Sequence, residues 1–277
     1  MQINEIVANA VSQEPKDDCW FCQEKAKTTQ LKNDETADPA TSDSELEDPV
    51  TIPENNVDND STKLGTALGS EPSWSIENPL NGVSTAVVPA AHHCIPGEAS
   101  LAKASALHDF MRKDGPYDFA SDIGYNVNCA KNGVWLPGNY AVREGNVEFD
   151  KYTWTLHKPW FQMRYVKSAM EKAGGRMFHD AHRKYNGLVK QALLDIASLL
   201  HKPDAKTNCP ICGNPLPKEN QKNRPPFGLV NRLNRVSDDH RGMLKAPTPE
   251  TVTSGYFTSS KGRDVVLGLP IPPKPAT

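Results

Sequence analysis

Apolar positions along the 277-residue chain come in short, separate bursts, and the spacing within each burst predicts a different element. After Gly82, "VSTAVVP" is a β-branched run that predicts a strand leading directly into His92 and His93. "ASLAKASALHDFMRK" (99–113) places Leu101, Ala104, Leu107, Phe110 and Met111 at helical spacing, and Gly115-Pro116 stops it. "GYNVNCAKNGVWLPGNYAV" (124–142) is punctuated by Gly and Asn, so it reads as loops and short strands. "PWFQMRYVKSAMEKAGG" (159–175) predicts a helix with Pro in its first turn and glycines at its end. A second helix is predicted from about His179 to Leu200. Beyond Pro203 the chain turns Pro- and Gly-rich, and "GLPIPPKPAT" reads as a non-helical tail.

Composition divides the chain further. Residues from about Thr28 to Ser61 are rich in Asp, Glu, Thr, Ser, Pro and Asn, with no apolar period, and read as a disordered acidic linker. This gives an N-terminal arm (1–27), an acidic linker (28–61), a globular domain (62–202) and a C-terminal region (203–277) with a basic, Pro-rich tail. The mean hydropathy of −0.59 agrees with a chain that carries such stretches.

Charge is unevenly spread. Residues 31–60 hold ten acidic groups against Lys32, so the net −3 is a −9 segment and a +6 remainder. Residues 213–277 hold ten Lys or Arg against five Asp or Glu. A mildly basic body suits an anionic partner such as nucleic acid, although an ordinary solvated surface accounts for the same balance. No run approaches eighteen apolar residues, so no membrane anchor is expected. The first twenty residues lack a basic start followed by an apolar stretch, so no ordinary secretory signal is expected. A protein of this kind that leaves its cell needs a dedicated machine.

Four of the six cysteines form two CxxC pairs, Cys19 with Cys22 and Cys209 with Cys212. Four thiolates of this kind make the tetrahedral shell that structural zinc prefers. The pairs lie about 190 positions apart, so a shared zinc would tie the N-terminal arm to the C-terminal region. Two disulfides, or two unrelated buried pairs, are the competing readings. Cys94 and Cys129 read as buried small apolar residues.

The eight histidines are distributed unusually: His92 and His93 are adjacent, and His179 and His182 lie three apart. At a strand end entering a loop, two neighbours can both reach one pocket. On a helix, positions three apart share a face. Neutral imidazoles suit a divalent transition metal, and a leftover histidine can serve as general base because its pKa lies near working pH. The HExxH pattern of zincin proteases is absent.

Three blocks in this order, "AHH" (91–93), "NGVWLP" (132–137) and "GGRMFHDAHRKY" (174–185), resemble the AHH nucleases of the HNH/endonuclease VII superfamily. Those are toxin domains of bacterial polymorphic toxins and secretion-system effectors. "RPPFGLVNRLNR" (224–235) and "YFTSSKGRDV" (256–265) resemble flanking parts of some of these proteins. The resemblance implies an α+β fold, a mostly helical domain around a ββα-metal (His-Me finger) core. It implies His93 as general base with His92 beside it as metal ligand, and His179 and His182 as metal ligands or phosphate contacts. It implies Asn132 as the loop residue that orients the base, and Tyr185 near the scissile phosphate. The expected catalytic ion is Mg2+, with Mn2+, Ni2+ or Zn2+ as alternatives. Lys131, Arg143, Arg176, Arg183 and Lys184 flank these positions and could hold a nucleic-acid backbone, or could be a solvated charged face.

The expected function is a metal-dependent DNase toxin of interbacterial competition. The resemblance implies a cognate immunity protein and delivery into target-cell cytoplasm by a secretion adaptor or a tube or spike component, as in type VI secretion. An RNase with the same site chemistry, or a non-catalytic zinc-stabilised nucleic-acid-binding module, are the alternatives.

Overall fold

The computed structural model describes residues 54–117, 119, 121–142, 154, 157–200, 225–226 and 228–275. Cys19, Cys22, Cys209 and Cys212, and with them the zinc expectation, lie outside the described residues, as does Arg143. The described elements are α1 (Ser61–Leu68), β1 (Trp74–Glu77), β2 (Ser84–Val87), β3 (Pro89–His93), α2 (Ser105–His108), β4 (Gly133–Pro137), α3 (Pro159–Lys172), α4 (Arg183–Leu200), α5 (Gly228–Lys245), α6 (Pro249–Ser254) and α7 (Ser260–Val266). This is a mixed architecture of helices and small antiparallel sheets. Among the described residues, no helix is long and apolar enough to cross a membrane.

The chain divides into two compact units. The second contains Ser61–Cys94, Gly133–Leu188 and Asp239–Thr277, and it holds two two-stranded sheets. β1 pairs antiparallel with β2, from Trp74↔Val87 to Glu77↔Ser84. β3 pairs antiparallel with β4, and its last two positions are His92↔Val134 and His93↔Gly133. The β-branched run before the histidines is thus two strands: Ser84–Val87 joins β1, and the pair sits on a new strand that begins at Pro89. α1 packs on β3 and β4 so closely that a Cβ at Gly133 would lie 2.7 Å from Leu64 Cδ1. That close approach is why the residue after Asn132 lacks a side chain. The α3 helix was legible: Pro159 opens it, and Gly174 and Gly175 end it at φ 71° and 84°.

The predicted second helix begins four residues late. His179 and His182 are not on one helical face, because the chain from 178 to 182 is irregular, with a bend at Asp180, before α4 starts at Arg183. Its amides bond to neighbouring segments instead of to carbonyls four residues back. His179 N–H donates to Pro137 O at 2.8 Å, and Asp180 N–H donates to Thr258 O at 3.0 Å. His182 supplies the first helical acceptor, its carbonyl taking the Asn186 amide at 3.1 Å.

The first unit contains Met1–Asp60, Ile95–Asn132 and Val189–Asp238. Here the predicted 99–113 helix is broken into a π-helical turn, Gly97–Leu101, and one α-turn, α2. Ala104, at φ −90° and ψ 58°, leaves the helical region and interrupts it. The periodic residues are nevertheless all buried: Leu101, Ala104, Leu107, Phe110 and Met111. Residues 54–60, the end of the acidic stretch, are ordered rather than a free linker. Asn56 N–H donates to Tyr125 O and Val127 N–H donates to Asn56 O, at 2.9 and 2.8 Å. The Asn55 side chain donates to Met111 O at 2.7 Å and accepts from Tyr125 N–H at 3.0 Å. Asparagines that bond backbone groups in this way replace the apolar contacts that the stretch lacks.

Composition pointed to no element between Pro203 and the tail, yet α5 is an eighteen-residue helix and α6 and α7 follow it. The described residues from Gly268 onward are non-helical, as the tail composition predicts.

Candidate metal centre

β3 delivers His92 into the interior of the second unit. His92 and His93 are the last two residues of β3, both are buried, and His93 is close enough to act electrostatically on His92. The His92 ring, 2% exposed, meets His179 and His182 at centroid distances of 5.1 and 5.0 Å, and those two rings lie 5.1 Å apart. One ring nitrogen from each of the three lies within 4.8 Å of the others, close enough to converge on one divalent ion.

His92 Nε2 is buried and makes no hydrogen bond. A buried, unpaired imidazole nitrogen is costly unless something else satisfies it, and a cation would. Burial holds the His92 imidazole well below its ordinary pKa, and the neighbouring His179, His182, His93 and His240 push it the same way. It is therefore neutral near pH 7, the form that coordinates metal. His182 Nδ1 lies 2.9 Å from Asn186 Oδ1. With the amide oxygen accepting, Nδ1 carries the proton and Nε2 presents its lone pair. Three imidazoles form a donor set suited to a divalent transition metal, so the residues present fit one.

His179 is aligned by backbone pairing: it forms a bridge with Gly138, just beyond β4, and its ring lies 6.3 Å from Tyr140. His93, the last residue of β3 and opposite Gly133, is buried and is not part of the three-histidine group. Tyr185, on the first turn of α4, is fully buried; its ring lies 5.3 Å from His92 and its hydroxyl donates to Cys94 O at 2.7 Å. Asn132 belongs to the first unit. Its side-chain oxygen accepts from Ile95 N–H at 2.7 Å and from Ser237 Oγ at 2.8 Å, while its amide donates to Ile95 O and Val127 O at 2.9 and 2.8 Å. Two of these bonds fix Ile95, two residues beyond His93, and the other two tie it to Val127 and Ser237.

Residues 73–208 match the profile of a family described as AHH, a nuclease family of the HNH/ENDO VII superfamily with conserved AHH. Over those residues, just under half of the chain, the protein is similar to this nuclease family. No curated protein and no solved structure matches the chain. The AHH domain is a nuclease domain, and nucleases of this superfamily use a divalent metal. Its AHH triplet is Ala91, His92 and His93, and its matched region takes in β3, β4 and α4.

Several residues around the site escaped the sequence reading. Asp180, between the two histidines, accepts from Ala181 N–H and from Ser259 Oγ, the latter at 2.9 Å. Burial pushes its carboxyl up, and those hydrogen bonds and the nearby His182 oppose the rise. His240, 2% exposed on α5, has Nδ1 3.3 Å from Cys94 O and its ring 5.8 Å from Tyr185. Burial lowers its pKa to about 4. A lone histidine in a polar stretch carries no spacing signal, so nothing in the sequence marked it.

Proposed function

We propose that this chain is a metal-dependent endonuclease that hydrolyses DNA phosphodiester bonds and serves as a toxin in interbacterial competition. The convergence of His92, His179 and His182 around an unsatisfied buried nitrogen carries the metal dependence. The order of β3, β4 and α4, each bearing a residue of the cluster or its frame, supports reading the site as a ββα-metal core. These three histidines would hold the ion, which when bound supplies positive charge to the phosphate and the leaving oxygen. His93 accepts the proton of the attacking water through its imidazole, as a new P–O bond forms and the P–O3′ bond breaks. Asn132 holds the loop that follows the pair. Tyr185, whose hydroxyl is committed to Cys94 O, supports the AHH strand from beneath rather than reaching the phosphate.

The backbone of the substrate would be held by Arg183 and Lys184 at the exposed start of α4, with Arg176 as a further contact. Arg176 donates to Trp135 O at 3.1 Å, which ties its guanidinium to β4. A cognate immunity protein, a secretion adaptor or spike, delivery into a target-cell cytoplasm, and a structural zinc on Cys19, Cys22, Cys209 and Cys212 belong to the same proposal. The test is a substrate panel. Purified protein supplied in turn with Mg2+, Mn2+ and Ni2+ should degrade supercoiled plasmid with at least one of them and spare structured RNA. Degradation of RNA alone would reassign the substrate, and no cleavage of either would leave a binding module.

A further inference from the structure

The family match ends at residue 208, but much of what holds the histidines in place comes from beyond it. The non-helical segment at 178–182 carries His179 and His182, and it is bonded on two sides. On one side, β4 accepts the His179 amide through Pro137 O. On the other, Thr258 takes the Asp180 amide at its carbonyl and donates its own hydroxyl to Phe178 O at 2.7 Å. Ser259 then donates to Asp180 Oδ2 at 2.9 Å while accepting from Gly262 N–H at 3.1 Å, so its hydroxyl is fixed by α7 before it reaches Asp180. One residue earlier, Met177 N–H donates to Leu244 O at 2.8 Å. Gly262 lies so close that a Cβ there would come 2.8 Å from Met177 Sδ.

The AHH strand is held from the same direction. The Cys94 carbonyl, directly after His93, receives the Tyr185 hydroxyl and His240 Nδ1–H. The His240 ring packs at 5.3 Å on Tyr256, which lies 6.3 Å from Tyr185. Thus both pieces of chain that must converge, the end of β3 and the 178–182 segment, are gripped by residues 239–262.

We propose that residues 239–262 are an integral brace of the metal centre, in which His240, Thr258 and Ser259 are positioning residues. The nuclease unit therefore extends past the family match to about α7. This rests on the reading of His92, His179 and His182 as metal ligands. Three imidazole nitrogens bind one ion tightly only when each is already near its bonded position, and partners outside the ligand shell set that position.

The test titrates the full-length protein with Co2+ alone, following the visible absorption of the histidine-bound ion. Ser259→Ala and His240→Phe should weaken Co2+ binding by about 10- to 100-fold. Ser259→Thr keeps a hydroxyl, and His240→Asn keeps a donor at the Nδ1 position, so both should recover most of the affinity. Wild-type affinity in the Ala and Phe variants would overturn the brace, even if both melted earlier, because a role in stability alone leaves the folded site intact. If the wild-type chain itself takes no Co2+, the metal reading fails, and native-state hydrogen exchange still judges the brace. Faster exchange of the 178–182 amides in Ser259→Ala, with α3 unchanged, would support it, and unchanged exchange there would overturn it.

Discussion

His240 allows a quantitative test through pH. In an unfolded chain a histidine titrates near 6.5, whereas in the folded protein burial lowers His240 to about 4. Above pH 6.5 both states are neutral at this position, and stability does not change with pH. Between 6.5 and 4 the unfolded chain binds a proton that the folded chain refuses, so stability falls as the solution is acidified. Below 4 both states are protonated and the loss is complete. At 1.36 kcal/mol per tenfold change in proton affinity, the full loss is about 3 kcal/mol, of which about 2 kcal/mol is spent between pH 7 and pH 5. Urea unfolding of wild type and His240→Phe at those two pH values, in EDTA so that no ion holds His92 neutral, isolates the residue. Deleting a hydrogen bond to Cys94 O shifts both values of the variant equally and cancels in the difference. Wild type should lose about 2 kcal/mol more than the variant. Equal losses would show that His240 titrates as an ordinary histidine and that its buried, neutral role is wrong.

Other perturbations test other parts of the site. Tyr185→Phe removes the hydroxyl donated to Cys94 O and should cost about 1–3 kcal/mol in urea unfolding, with cleavage reduced far less than in His93→Ala; total loss of cleavage in a folded Tyr185→Phe protein would return the hydroxyl to the phosphate. Asn132→Asp keeps the acceptor but strands Ile95 O and Val127 O, so a loss of about 3 kcal/mol is expected from chemical denaturation. Gly97→Ala would drive a Cβ into the Val57 carbonyl oxygen, so its melting temperature should drop by an amount matching about 3 kcal/mol. A melting temperature unchanged by that substitution would mean that residues 54–60 are not seated as described.

The sequence was most legible where local chemistry acts alone. Pro159 and the Gly174-Gly175 pair bounded α3 because ring closure and positive φ are properties of those residues themselves. It was less legible where tertiary bonds override period. The HxxH spacing at 179–182 invited a helix, but Pro137 and Thr258 claim the amides of His179 and Asp180, and the two imidazoles meet His92 from a non-helical segment instead. Leu101 to Met111 show the intermediate case, with burial read correctly and the helix interrupted at Ala104. α5 was hidden by its own content. Its buried stripe of Leu229, Leu233, Val236, His240 and Leu244 has helical spacing, but one member is a histidine, Arg232 and Ser237 are buried beside it, and the surrounding residues are polar. The histidine cluster was legible as two suspicious pairs; the brace at 239–262 was not, because Ser, Thr and His hydrogen bonds leave no periodic trace.

The central claim is that His92, His179 and His182 form the metal centre of a DNase whose base is His93. The most direct measurement is cleavage of supercoiled plasmid by wild type, His93→Ala and His179→Ala, each with Mg2+ and with EDTA, alongside circular dichroism to show that all three are folded. Wild type should nick and then degrade the plasmid only with metal. His93→Ala should cleave about 10²- to 10⁴-fold more slowly, the size of a general-base contribution, and His179→Ala should be inactive. Cleavage that persists in EDTA, or a folded His179→Ala protein as active as wild type, would contradict the account.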